Sequence, residues 1–299
     1  MSLSDGPQRC VVVPAEDMMG KTSVITGANS GIGKQTALAL ARRGAHVILV
    51  CRNRQRGEAA LGEIQRETGS SKLDLLIADL SSLESVRALA SGIQRNYPRL
   101  DVLINNAGAA VPERTLSSDG IEMTLAGNYL GAALLTLLLL DLLKASAPSR
   151  IVNVSSQAQR SARLDLNDLE FEQRKYSGFA AYGQSKLLLN AFTIELARRL
   201  KTTGVTVNCL HPGVVATNIW GPSPGWLKII AAVMRPFMLD SRQGAQGSLY
   251  LATAPDVAHV SGRYFVKCKP AEANPLLEDP KVTAEIWQWT EKMTGIHRG

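Results

Sequence analysis

Tyr182 and Lys186, in the run Tyr182-Gly-Gln-Ser-Lys186, stand four residues apart inside a stretch of helical pattern, so on a helix they share one face. A phenol with an ordinary pKa near 10 is a poor acid or base at neutral pH. A neighbouring ammonium favours the phenolate, and each unit of depression is worth about 1.36 kcal/mol, within reach of one close cation. Such a pair alone occurs on many solvent-facing helices, so the argument rests on its company. The run Ile151-Val-Asn-Val-Ser155-Ser156 reads as a strand ending in two serines. Either hydroxyl can reach a substrate oxygen, although strand-end serines otherwise cap helices. Asn128, in Gly127-Asn128-Tyr129, sits within an apolar helical run, where Asn is a poor helix former and needs a reason to be buried; a kinked, water-relaying position is one.

A second group of residues has the chemistry of a phosphate cradle. Thr26-Gly27-Ala-Asn29-Ser30-Gly31-Ile32-Gly33 follows a predicted first strand and opens a helical pattern. Gly27 permits the tight turn, Gly31 a close approach of backbone to a pyrophosphate, and Gly33 close helix–strand packing. Asn29, Ser30 and Ile32 fall in the same turn, and the helix start offers free N–H groups to the anion. A flexible turn is the bland alternative, but the strand-turn-helix setting favours phosphate binding. The second predicted strand ends Cys51-Arg52-Asn53. An NAD-selective protein places Asp or Glu there for the ribose hydroxyls, whereas Arg52 can pair bidentately with a 2′-phosphate, so NADP(H) is the expected cofactor. Asp79-Leu80 and Asn105-Asn106-Ala107-Gly108 close two further strands at carboxyl ends, where open α/β sheets bind ligands. Asp79 is expected at the adenine edge, or as a helix cap; Asn106 is expected beneath the nicotinamide ribose, with Gly108 leaving room for it.

The elements that must position these residues follow from the alternation of short apolar runs with amphipathic stretches, the pattern of a doubly wound parallel sheet with helices on both faces. Seven strands are predicted: Ser23–Thr26, Ala45–Cys51, Leu73–Ala78, Val102–Asn105, Arg150–Val154, Val205–Leu210 and Tyr264–Val266. Four helices stand out, at Gly31–Arg43, from Ser81 or Ser82 to Asn96, near Ile121–Ser146 and near Gly178–Lys201. The chain of 299 residues, 45% hydrophobic and 20% charged, is ordinary for a globular protein. One catalytic domain is expected over residues 20–270, after an N-terminal extension (1–19). A substrate loop is expected near 212–245, and the segment 271–299 is expected to be a surface appendage with a short helix. The net charge of +7 is scattered, which argues against nucleic acid as a partner. Cys10, Cys51, Cys209 and Cys268 lack metal-ligand spacing, so no metal is expected and the cysteines read as buried free thiols in a reducing, cytoplasmic setting. Apolar runs such as Leu134–Leu140 fall short of the ~20 residues of a spanning helix. Trp226–Met238 can instead be a lid, a buried helix or a contact with an intracellular membrane surface.

Taken in order, TGxxxGIG, NNAG, Asn128, the paired serines and YxxxK resemble the short-chain dehydrogenase/reductase family from Gly20 to about Val266. TGANSGIGK, LVCRN, RIVNVSS and GVTVNCLHPGVV look most like its retinol dehydrogenase group, as does the 26-position spacing of Ser156 and Tyr182. The resemblance implies a tetrad of Asn128, Ser156, Tyr182 and Lys186, and a nicotinamide cover including Pro212, Gly213, Val215 and Thr217. It also implies hydride transfer between NADP(H) and a hydrophobic ketone or aldehyde and its alcohol, and a homodimer. Lys186 would then depress the Tyr182 pKa. Retinol- or steroid-type alcohol oxidation and a catalytically idle NADP-binding sensor are the alternatives. Ala109-Ala110, Gly127 and Ala132-Ala133 are smaller than the group's usual residues, which implies a widened substrate pocket.

Overall fold

The computed structural model describes residues 17–213 and 240–298. The proposed lid Trp226–Met238, the nicotinamide-cover residues Val215 and Thr217, and Cys10 lie outside the described residues. One sheet carries the strands β1 (Thr22–Thr26), β2 (His46–Cys51), β3 (Leu73–Ile77), β4 (Val102–Asn105), β5 (Ser149–Val154), β6 (Val205–His211), β7 (Tyr264–Val266) and β8 (Lys269–Ala271). Their order is β3-β2-β1-β4-β5-β6-β7-β8. The first seven pair in parallel, as the sequence predicts. The central ones are buried on both faces, which is why they read as continuous apolar runs. Strand order reverses between β1 and β4, and this opens a crevice at the carboxyl ends of the strands.

The helices are α1 (Gly31–Ala41), α2 (Arg54–Thr68), α3 (Leu83–Asn96), α4 (Met123–Leu125), α5 (Gly131–Ala145), α6 (Gly178–Arg199), α7 (Ser241–Thr253) and α8 (Pro280–Thr294). They form two layers. One core beneath the sheet gathers α1, α2 and α7 through Leu40, Ile64 and Leu251; the other gathers α3, α5, α6 and α8 through Ile93, Leu134, Phe192 and Trp287. The span Met123–Ala145 is long and apolar enough, by length and composition, to cross a membrane, beyond what its shorter leucine runs indicate; 83% of its most apolar window is buried inside the fold. Of the two roles open to its leucines, core or oligomer face, the structure shows core.

Three expectations need correction. The sheet has an eighth strand, β8, antiparallel to β7. It escapes sequence reading because Lys-Pro-Ala is fully exposed and poor in strand formers, and the turn before it places Lys267 and Cys268 at positive φ without glycine or asparagine. The segment after Ala271 is no surface appendage. Trp287 is almost wholly buried and stacks on Phe192 of α6 with ring centroids 5.5 Å apart, while the Tyr129 hydroxyl meets Thr290 Oγ1 at 2.5 Å. Cys51 and Cys209 are free and buried as expected, but Cys268 is disulfide-bonded.

Candidate active site

The glycine turn leads from β1 into α1 with Gly27 and Gly31 at φ of 66° and 54°, backbone that side chains with a Cβ rarely adopt. At Gly33 a Cβ would overlap the Gly27 carbonyl oxygen and come 2.5 Å from Asn106 Nδ2, so the helix is seated directly on the turn. Asn53, Ser82, Ser177, Asp240 and Asp279 place side-chain caps on α2, α3, α6, α7 and α8; Ser30, at the start of α1, places none. The first-turn amides of α1 are thereby left free to meet an anion.

Around that helix start lies a cleft of ≈ 460 Å³ lined by Gly27, Asn29, Ser30, Gly31, Ile32 and Gly33. Its walls take in Arg52, Asp79 and Leu80 at one end, Asn106, Ala107 and Gly108 in the middle, and Asn128, Tyr182, Lys186 and Pro212 at the other. Residues remote in sequence thus share one space, of a shape and polarity that fits an extended dinucleotide: open helix amides for the phosphates, and a cation at one end. Among the cofactor residues expected from sequence, Asn53 does not line it, because its side chain accepts a hydrogen bond from Arg56 N (2.9 Å) and caps α2. Gly213 follows Pro212 with φ 92° and also falls outside the lining.

Arg52 is 74% exposed, with Nη1 3.7 Å from Asp79 Oδ2, so the guanidinium stands at the cleft mouth. Asp79 Oδ1 accepts from Ser81 N (2.9 Å) and Ser81 Oγ (2.6 Å), which fixes the loop after β3; the cap of α3 is Ser82. Asn106 turns its amide toward β1, donating to Thr26 O at 2.8 Å, and Thr26 Oγ1 accepts from the Asn106 and Ala107 amides at 3.0 Å each. The sequence marked Asn106 as a floor for the ribose. The structure shows it locking the loop after β4 to the glycine turn, with Thr26 as a partner that spacing alone did not single out.

At the other end, Tyr182 and Lys186 lie one turn apart on α6. Lys186 Nζ donates to Val154 O (2.8 Å) and stands 5.7 Å from the Tyr182 ring centroid. Burial lowers the Lys186 pKa to about 8, since desolvation disfavours the ammonium. Burial pushes the Tyr182 phenol up, and a hydrogen bond with Ser156 pulls it the other way. The expectation that Lys186 depresses Tyr182 does not hold here: burial leads at Tyr182, and the group that opposes it is Ser156. A Cβ on Gly108 would come 3.1 Å from Lys186 Nζ, so a side chain at that position would crowd the ammonium.

The two serines separate cleanly. Ser156 meets Tyr182, whereas Ser155 is buried with Oγ donating to Lys186 O at 3.3 Å. Asn128 sits in a π-helical turn, Ala126–Leu130, between α4 and α5. Such a turn inserts one residue and re-aims its side chains, and it is frequent at functional sites. Asn128 Oδ1 accepts from Ala109 N and Nδ2 donates to Ala109 O, both at 2.8 Å; Nδ2 also donates to Ser185 Oγ at 3.2 Å. Asn128 therefore ties the loop after β4 to α6, the helix that carries Tyr182 and Lys186.

Beyond Asn128 the cleft continues past Ala109, Val111, Met123, Thr124 and Gly127, a largely apolar wall. Met123 and Thr124 carry one sequence signal for this wall, their place about a turn before Asn128; Val111, in the loop after β4, carries none. Ala109 and Gly127 line this wall as the sequence implied, but Ala110 is buried outside the lining, and Ala132 and Ala133 are packed into the core and do not line it.

The family model for short chain dehydrogenases matches residues 21–227. Retinol dehydrogenase 13 of Homo sapiens is 44% identical over 283 residues, covering 93% of this chain and 85% of its own length. Retinol dehydrogenase 14 of Mus musculus is 46% identical, covering 93% and 87%. Among solved structures, an uncharacterized protein from Mycobacterium paratuberculosis superposes with a TM-score of 0.77 at 34% identity, over 97% of this chain and 98% of that one. A glycine turn with an open helix start, and a tyrosine–lysine pair across the same cleft, thus occur in a chain matched along most of its length, and the chain belongs to the short-chain dehydrogenase/reductase family as a retinol dehydrogenase-like oxidoreductase.

Proposed function

We propose that the protein interconverts a hydrophobic ketone or aldehyde and its alcohol with NADP(H), and that Asn128, Ser156, Tyr182 and Lys186 carry the chemistry. The observation that supports this best is the hydrogen bond from Ser156 to Tyr182, because Tyr182 shares one cleft with the glycine turn, Lys186 and Arg52; Ser156 itself stands behind the lining, which Ser155 joins. Bound nicotinamide supplies or accepts the hydride. The Ser156 and Tyr182 hydroxyls hold the substrate oxygen, and Tyr182 delivers a proton to it as negative charge builds there. A phenol pushed up by burial keeps that proton at neutral pH, which suits reduction. In the oxidising direction Ser156 is the group that favours the phenolate. Asn128, fixed on both sides by Ala109, holds the loop that faces Lys186.

Arg52 supports the choice of NADP(H): it follows β2 at the position where an NAD-selective carboxylate would repel a 2′-phosphate, and its guanidinium stands at the cleft mouth beside Asp79. The apolar wall at Val111 and Met123, with the space left by Ala109 and Gly127, supports a bulky hydrophobic substrate. The retinol dehydrogenase names of the relatives favour a retinoid-like alcohol or aldehyde as one such compound. Following NADPH absorbance with a panel of hydrophobic aldehydes and ketones tests this reading. Tyr182→Phe is expected to abolish turnover while NADPH still binds with wild-type affinity in a fluorescence titration. Undiminished turnover by that variant would remove Tyr182 from its role. Arg52→Ala is expected to raise the KM for NADPH roughly 10-fold or more, in line with a charge-assisted pair worth about 1.5–3 kcal/mol, while that for NADH changes little.

A further inference from the structure

We propose that Asn274, in the C-terminal segment, is a positioning residue for Ser156 and acts through the turn that follows it; the inference rests on the catalytic assignment of Ser156 and Tyr182 above. Ser156 is the N-cap of a short 3-10 turn, Gln157–Ser161, and its Oγ accepts from Ala158 N at 3.2 Å. Wherever that turn sits, the serine hydroxyl sits with it. No helix continues from the turn: Gln159 O accepts from Ala162 N at 3.3 Å, and the further donors its last carbonyls can take come from elsewhere. Asn274 supplies them. Its Nδ2 lies 2.8 Å from Gln159 O, 3.0 Å from Ala162 O and 3.2 Å from Arg160 O, so two protons serve three carbonyls and one of them is shared. Its backbone N donates to Gln159 Oε1 at 2.9 Å, and its own Oδ1 accepts from Leu276 N at 3.1 Å.

Both partners are shielded from water, Asn274 being 4% exposed and Gln159 0%. These bonds therefore compete little with solvent. The opposite side of the turn rests on the catalytic helix, where a Cβ on Gly183, the residue after Tyr182, would come 3.1 Å from Ala158 O. The turn is thus clamped between α6 and Asn274. A side chain that donates to several carbonyls while accepting from a following amide must be a primary amide of this length. That combination explains an asparagine better than a general need for a polar residue does.

The test is a double-mutant cycle at Asn274 and Ser156, with NADPH consumption, NADPH affinity and thermal midpoint measured for each protein. Asn274→Ala is expected to lower kcat about tenfold with NADPH affinity unchanged, and to lower it less than about twofold further in the Ser156→Ala background, the coupling expected when one residue acts through the other. The limb of the kcat/KM pH profile that reports Tyr182 is expected to move upward in Asn274→Ala, because the Ser156 hydrogen bond pulls that pKa down. Thr290→Val, which removes a hydrogen bond in the same C-terminal segment, is the control and is expected to lower the thermal midpoint without moving the profile. If Asn274→Ala does not fold, Asn274→Ser, which keeps one donor, serves in its place. Additive losses at the two sites, an unmoved pH profile, or an equal shift in Thr290→Val would overturn the inference and leave the site assignment standing. Wild-type turnover in Ser156→Ala would overturn the site assignment, and this inference with it.

Discussion

Lys186 sets stability against function within a single side chain. Its ammonium is buried with one backbone acceptor, Val154 O, and its pKa falls from 10.5 to about 8. A lowered lysine pKa means that the folded state holds the charged form at a cost. Below about pH 8 the folded protein bears that cost in full; between pH 8 and 10.5 the unfolded chain binds more protons, so stability rises with pH; above 10.5 the effect is gone. At about 1.36 kcal/mol per unit the cost is on the order of 3 kcal/mol, partly offset by the bond to Val154 O. Lys186→Met is therefore expected to abolish turnover yet raise the thermal midpoint at pH 7 without cofactor. The gain should shrink as the measurement is repeated toward pH 10.5, and a gain that grew with pH would contradict this account.

At the scale of elements, the cofactor end depends on how closely α1 sits on the glycine turn. Gly33→Ala would drive a methyl into the Gly27 carbonyl and the Asn106 amide, both part of a backbone-anchored lock with no flexible end to yield. Overpacking of this kind costs typically 1–3 kcal/mol. The displaced turn should also misalign the free amides of α1. The expected outcome is a lowered midpoint in urea together with a larger loss of NADPH affinity than of folding, read by fluorescence titration. The π-helical turn makes a similar point: an ordinary α-helix through residues 123–145 would place Asn128 differently, and only the inserted residue lets it meet Ala109 and Ser185 together.

Across the whole molecule, the C-terminal helix is part of the core rather than its covering. Trp287 fills the space between α6 and α8, stacked on Phe192 and with the Arg199 guanidinium 4.3 Å from its ring centroid. Arg298 reaches Asp141 at 3.0 Å, and Arg87 donates to the carbonyl of Thr294, so α3 and α5 hold the same helix. Trp287→Ala is expected to destabilise the protein by about 3–5 kcal/mol in chemical denaturation, the range for emptying a buried aromatic site. A loss below about 1 kcal/mol would return the segment to the status of an appendage.

The sequence by itself determined the parallel sheet, the succession of strands and helices along the chain, and the glycine turn, because these signals are local: a strand or helical period, a strand end, a turn between them; the grouping of Tyr182, Lys186 and Asn128 came from the family resemblance of the motifs in their order. Choosing Ser156 over Ser155 needed family resemblance at the sequence level; what the structure adds is that the Ser156 hydroxyl bonds Tyr182 while that of Ser155 bonds the α6 backbone. What only the tertiary structure decided depends on burial and on contacts between distant residues. The wall at Val111 and Met123, the core placement of Ala132 and Ala133, the balance of pKa shifts at Tyr182 and Lys186, and the grip of Asn274 on the serine turn are of this kind. No local period records desolvation, nor a hydrogen bond spanning more than a hundred residues.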